Sequence, residues 1–409
     1  MNVLRRFSSR TFSALAIPNY RRYYGGQAIS LVGTWMQTIA QGWLLLTLTD
    51  SGTALGLLVA VQMTPILVLG PYGGVIADRV DKRRLMMLVQ GCMGSLALVL
   101  GILSATGRVQ VWHVFVLAGL LGCCTVFDNP TRQAFVLEMV GPDDLRNAVS
   151  LNSVLVNAAR AVGPAVAGIL IATVGVSVCF LVNAVSYIAV IVSLATLDRA
   201  ELRPTVPTPR KPGQLREGLR YVRSTPGLAI PLCMMALIGT LAYEFQVVLP
   251  VVARETFHGG PEVYGFMTAA MGIGAVVAGL AVAGSGRTGL RAIIIAAAGF
   301  GLAILLAASA PTLPLELVAL TLVGGCSVTF IAIGNTTIQL ITRPEMRGRV
   351  MSLWAVAFLG TTPLGGPVAG FVAERAGGRA GLLLGGVACL VAAAAGAAAL
   401  RRTNLLSAA

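Results

Sequence analysis

The chain is a succession of long apolar runs, each of about 20 residues or more, separated by short charged or turn-forming breaks. A run of that length crosses the ~30 Å hydrocarbon core of a bilayer as a helix. In lipid every backbone amide must find its partner inside the element, so runs repeated in this way specify membrane-crossing helices. Twelve are read at 25–48, 53–76, 85–105, 112–136, 148–173 and 176–197, then at 228–252, 263–283, 292–309, 315–341, 350–372 and 381–400. An even number brings both chain ends to one face.

Composition agrees, with 56% apolar and only 11% charged residues and a mean hydropathy of +0.82, values outside the range of a soluble domain. The net charge of +14 would suggest nucleic acid on a soluble surface. Here its distribution carries a different meaning. Outside the spans every Lys and Arg falls on the face shared by the termini, except Arg108, Arg254, Arg375 and Arg379. The positive-inside rule assigns that face to the cytoplasm and makes anionic lipid, not nucleic acid, the polyelectrolyte partner. The basic opening stretch leads into an apolar run without an early small-residue cleavage pattern, so an uncleaved first span is expected. The seven cysteines lie inside apolar runs with no metal-ligand spacing, and no metal site is expected. No Gly-Lys-Ser/Thr phosphate loop, nucleophile elbow or catalytic carboxylate pair occurs, which argues against an enzyme.

The longest break, 198–227, is rich in Pro and Arg. It divides the chain into a first unit, 1–197, and a second, 228–409. Its Pro-spaced part, 204–212, is expected to be extended, and 214–223 to be an amphipathic helix on the cytoplasmic surface. The two units repeat one another: Pro142, Arg146, Ser150 and Gly163-Pro164 recur as Pro344, Arg347, Ser352 and Gly366-Pro367, at offsets of 201 to 203 residues. Duplicated halves with a substrate path between them are common in secondary transporters.

Three stretches carry a family resemblance. Gly74-Val75-Ile76-Ala77-Asp78-Arg79-Val80-Asp81-Lys82-Arg83-Arg84 resembles the signature Gly-x-Leu-Ala-Asp-Arg-x-Gly-Arg-Arg that joins helices two and three of the major facilitator superfamily, with Asp81 in place of the second Gly. Asn19 to Gln37 and Asp128-Asn129-Pro130-Thr131-Arg132-Gln133-Ala134-Phe135 resemble its drug and siderophore exporters with twelve helices, the enterobactin exporter-like and macrolide-efflux-like branch. The resemblance implies two pseudo-symmetric six-helix bundles in a bacterial inner membrane. It also implies alternating access, no cofactor, and a proton gradient as energy source. The protein is expected to act as a monomer.

The charged hinge reads as a gate. A carboxylate at Asp78 would be favoured by a helix N-terminus of the opposite bundle near Val350, Gly74 would allow close approach, and Arg79 would hold Asp78 or pair with Glu138, with Arg83 beside them. The bland alternative is a topogenic anchor. Ala159-Arg160-Ala161-Val162-Gly163-Pro164-Ala165-Val166-Ala167-Gly168 resembles the family's antiporter motif with Ala at two Gly positions, and Gly365-Gly366-Pro367-Val368-Ala369-Gly370 is its partner. Gly163, Pro164, Gly168, Gly366, Pro367 and Gly370 suit a kinked, closely packed rocking surface, or ordinary helix packing.

Ionisable groups inside spans cost at least ~2.5–3.5 kcal/mol on insertion scales, so each needs a partner or a wet path. Asp128 and Arg132 are four apart and either pair locally or supply the functional arginine of family exporters. Arg160 has no acid within a turn, so its partner comes from elsewhere or it meets an anionic substrate. Glu244 lacks a local cation; it either carries protons in alternating access or snorkels to the outer interface. Trp35, Gln37, Gln41, Asn152 and Asn157 are candidate polar lining of a central cavity. The function expected is export of a small organic molecule, drug or siderophore-like, by proton antiport. Two other readings of the same fold stand beside it: a lipid or solute carrier working in another direction, and a transport-inactive membrane scaffold.

Overall fold

The computed structural model describes residues 13–203, 214–285 and 287–408, and every regular element among them is helical. The first half comprises α1 (Pro18–Thr49), α2 (Gly52–Arg79), α3 (Lys82–Ala105), α4 (Val111–Thr173) and α5 (Val176–Ala195). The short α6 (Gln214–Arg223) follows the linker. The second half comprises α7 (Pro226–Leu241), α8 (Phe245–Val251), α9 (Pro261–Ser285), α10 (Leu290–Ser309), α11 (Leu313–Ile341), α12 (Arg347–Leu359), α13 (Thr362–Ala376) and α14 (Gly378–Ala408).

Ten stretches are long and apolar enough to cross a membrane by composition. One of them, α4, is two crossings folded at Gly141 (φ 73°, ψ 178°) into arms 111–140 and 142–173. α1 adds a further crossing: Arg21, Arg22, Gln27, Gln37 and Gln41 lower its hydropathy, yet its 32 residues give a rod of ~48 Å. The result is the twelve crossings that the apolar runs specify, in a multi-pass membrane protein. We call the end at which α1 begins and α14 finishes the terminal end, and its opposite the far end.

Local chemistry moves the boundaries. The break expected between the fourth and fifth runs shrinks to Gly141, because Pro142 can open the returning arm and glycine alone tolerates the positive φ; a Cβ there would strike the Arg203 guanidinium. The charged hinge is hardly a loop. α2 continues through Arg79, and α3 starts at Lys82 with Asp81 accepting from Arg84 N at 3.0 Å as its N-cap. The seventh run is not one helix but α7 and α8, interrupted at Ala242–Glu244, and it ends in a π-helical turn at Val252–Thr256. The eleventh is similarly split, into α12 and α13, at Gly360-Thr361.

The sequence motif at the start of α1 ties the terminal end together. Asn19 and Asp198 exchange two hydrogen bonds of 2.9 Å. Tyr20 donates to Ala148 O at 2.9 Å, Arg22 to Thr196 O at 2.8 Å and Tyr24 to Leu151 O at 3.2 Å. The bonds to Thr196 and Asp198 satisfy carbonyls at the exposed end of α5, and those to Ala148 and Leu151 tether α1 to the returning arm of α4. α6 does not lie free on the surface: Glu217 pairs with Arg349 at 2.6 Å and Val222 is buried, so the helix is strapped to the base of α12. The extended segment expected at 204–212 lies outside the described residues.

Candidate functional site

The two bundles meet along two seams of small residues, related by the internal repeat. In one, α13 lies on α2: Gly370 faces the Gly52 carbonyl and Gly366 the Gly56 carbonyl. A Cβ on Gly366 would come 2.8 Å from Gly56 O, and one on Gly52 would come 2.8 Å from Gly370 O. In the other, the returning arm of α4 lies on α9. A Cβ on Gly168 would come 2.9 Å from Pro261 O and one on Gly272 2.7 Å from Ala161 Cα, while Gly265 faces Pro164 O and Gly168 Cα. Such contacts let backbones approach to distances no larger residue permits. Five of the six residues expected on a rocking surface, Pro164, Gly168, Gly366, Pro367 and Gly370, therefore touch the opposite bundle. Gly163 does not. It packs inside its own bundle, against Trp35 Cβ and Val32 O.

Polar bonds across the boundary gather at the far end. Glu374 accepts from Ser51 Oγ at 2.6 Å and from Thr53 N at 2.8 Å, covering the N-terminus of α2. Arg254 pairs with Asp50 at 3.1 Å and donates to Leu46 O at 3.2 Å, at the C-terminus of α1. Toward the terminal end α2 and α12 spread around a cavity of about 390 Å³ lined by Met63, Leu67, Thr125, Asn129, Val356 and Gly360, among others.

The gate residues have other work. Glu138 takes Lys82 Nζ at 2.8 Å, not Arg79 as the hinge suggests, and both partners are buried. Arg83 is also buried, donating to Leu194 O at 2.6 Å and Ala195 O at 2.8 Å. It closes the C-terminus of α5 within its own bundle, where a cation suits the helix dipole. Arg79 is exposed. Gly74 and Asp78 lie in α2, and the surroundings of both fall outside what is described.

The intramembrane charges separate into distinct environments. Asp128 is buried, receives Gln90 Nε2 at 2.8 Å and faces Arg132 Nε at 3.8 Å, while Arg132 donates to Asn129 at 3.0 Å. The local pair is therefore present, reinforced from α3. Glu244 is 4% exposed and does not snorkel outward. It sits in the α7–α8 interruption with its carboxyl against Gly365 and Gly366, immediately behind the α2–α13 seam. Arg160 is partly buried beside Trp35, its guanidinium carbon 5.6 Å from the ring centroid.

The polar candidates have different surroundings. Gln37 accepts from Asn183 at 2.6 Å and ties α1 to α5. Gln41 borders a small void with Gln62 and Gln246, and Asn157 donates to Ser153 O on its own helix at 2.8 Å. Asn152 is partly exposed. Sequence reasoning missed Glu374, Arg254 and Asp50, which sit at span ends where charge is unremarkable. It also missed Glu316, 1% exposed in α11, and Tyr243, whose ring packs on Phe300 and Phe358 at 5.2 and 5.0 Å. The i, i+4 glycines Gly52 and Gly56, matching Gly366 and Gly370, were a signal available for the seam.

A profile described as transmembrane secretion effector matches residues 9–406. The chain is 26% identical over 389 residues to the enterobactin exporter EntS of Shigella boydii, covering 91% of each chain. It is 24% identical to macrolide efflux protein A of Streptococcus pyogenes, over 89% of this chain and 91% of that one. It is also 26% identical to the staphyloferrin A transporter of Staphylococcus aureus over 63% of this chain, a match that spans 65% of that relative's length. Among solved structures, the nucleoside transporter NupG superposes with a TM-score of 0.76 at 12% identity, over 93% of this chain and 99% of that one. A bacterial homologue of the iron transporter ferroportin in an inward-facing state gives 0.70 at 14% identity, over 92% and 98%.

Proposed function

The chain belongs to the transmembrane secretion effector family of the major facilitator superfamily, whose members are transporters and not enzymes, and from that premise we propose that it exports a small organic molecule of the drug or siderophore class. It works by alternating access in a bacterial inner membrane, with the terminal end in the cytoplasm. The observation that carries this reading is the pair of repeat-related glycine seams, α2–α13 and α4–α9. Each is a backbone-on-backbone contact across the bundle boundary, able to part without stripping large side chains from one another. The far-end bonds of Glu374 and Arg254 hold one arrangement, closed at the far end with the cleft beside α12 spread toward the terminal end. Parting the seams at the far end gives the other. The basic terminal end supports the cytoplasmic assignment.

The energy source we infer is the proton gradient, with no cofactor. Glu244 is the residue we assign to coupling: its carboxyl rests on Gly365 and Gly366, and Gly366 rests on Gly56 of the other bundle. A proton gained or lost there alters the charge immediately behind the seam. Everted membrane vesicles test the reading. Vesicles energised acid-inside should accumulate a macrolide or a catecholate siderophore, and a protonophore should abolish uptake. Folded protein that takes up none of these under any gradient overturns it.

A further inference from the structure

Two of the buried acids have cationic partners. Asp128 is matched by Arg132 and Gln90, and Glu138 by Lys82, while Glu244 is turned into the seam behind α13. Arg160, midway along the returning arm of α4, forms no ion pair among the described residues; the partner it does have is the face of Trp35. Its own backbone marks where it sits. A Cβ on Gly272 of the opposite bundle would come 2.9 Å from Arg160 O, so the residue stands at the bundle boundary and not on a lipid-facing side.

Across that boundary Gly272 lies on α9, which packs on α11 with Gly324 against Met271, and α11 presents the Ser327 carbonyl to Tyr243. Tyr243 falls in the α7–α8 interruption, its hydroxyl donating to Ser327 O at 3.0 Å and its ring held between Phe300 and Phe358. One bundle therefore contributes a cation on an indole, and the other an aromatic wall.

We propose that Arg160, Trp35 and Tyr243 form a cargo subsite selective for an aromatic oxyanion, a flat ring bearing a carboxylate or an ionised phenol. The guanidinium presents a planar fork of donors that suits an oxyanion in two-point contact. Trp35 and the Tyr243 cluster supply stacking faces for the ring. A cationic cargo would meet Arg160 with no described carboxylate paired to it to compensate. The proposal rests on the exporter reading and names its cargo class.

The test is binding of three matched probes, 2-naphthoate, 2-naphthamide and 2-naphthylmethylammonium, to the purified full chain in lipid nanodiscs by calorimetry. Naphthoate should bind about tenfold or more tightly than either other probe. Arg160→Gln should weaken naphthoate about tenfold and leave naphthamide unchanged, with Arg160→Lys falling between because it keeps charge but not the fork. Equal binding of naphthoate and naphthamide by the natural chain overturns the proposal, as does naphthoate binding undiminished in Arg160→Gln. If Arg160→Gln fails to fold, the three-probe comparison on the natural chain decides alone. Selective naphthoate binding without proton-driven uptake would uphold the subsite while sinking the exporter reading; gradient-driven uptake of cationic probes alone would do the reverse.

Discussion

Glu374, at the end of α13, accepts a hydrogen bond of 2.6 Å from Ser51, the N-cap of α2, and so joins the two bundles where α2 begins. The bond lies at an exposed surface, so solvent screening keeps it modest. Glu374→Ala should shift the balance toward far-end opening by about threefold. Spin labels on Val174 and Glu255, exposed far-end sites in opposite bundles, would report it as a larger long-distance population in a cysteine-free background. An unchanged distribution would show that the bond follows closure without supporting it.

The seam should be far less forgiving. A Cβ on Gly56 would collide with the Gly366 carbonyl, and overpacking of this kind costs ~1–3 kcal/mol. Gly56→Ala is expected to reduce the far-end-closed population about tenfold or more and to slow transport with normal membrane levels. Labels at the same two sites would read the change.

Lys82 and Glu138 form a buried pair. Removing Glu138 strands the Lys82 charge, and we expect Glu138→Gln to lose about 3–5 kcal/mol of stability, more than Lys82→Met. The double variant should be more stable than Glu138→Gln. Thermal unfolding in detergent measures all three, and simple additivity would argue against the pair.

Gln37 and Asn183 share a 2.6 Å hydrogen bond inside the first bundle. Gln37→Leu leaves Asn183 without its acceptor, which should cost ~1–3 kcal/mol of stability without altering the KM for cargo. A raised KM with unchanged melting would return Gln37 to the chamber wall.

Glu244→Gln addresses coupling. If Glu244 carries the proton, the variant should still exchange cargo down its own gradient but no longer respond to an imposed proton gradient in everted vesicles. Gradient dependence equal to that of the natural chain would remove Glu244 from the coupling path.

The crossings were legible because lipid imposes one rule on every apolar run. Asp128 with Arg132 was legible for a similar reason, since a spacing of four is a contact within one helix. Lys82 with Glu138 was not, because the two are brought together by tertiary packing of α3 on α4. The breaks at Ala242–Glu244 and Gly360 were missed because hydropathy is the same on either side of them, so nothing in the apolar pattern marks where a backbone opens. Span-end residues such as Glu374 and Arg254 look like ordinary interfacial charge until the opposite bundle is placed against them.

If the seams rock as proposed, they do so on main-chain atoms, while the proposed cargo subsite is built from side chains. Side chains such as Trp35, Arg160 and Tyr243 can be exchanged without adding bulk at Gly52, Gly56, Gly265 or Gly366. A chain organised in this way can diversify what it carries while inheriting its machinery for moving unaltered.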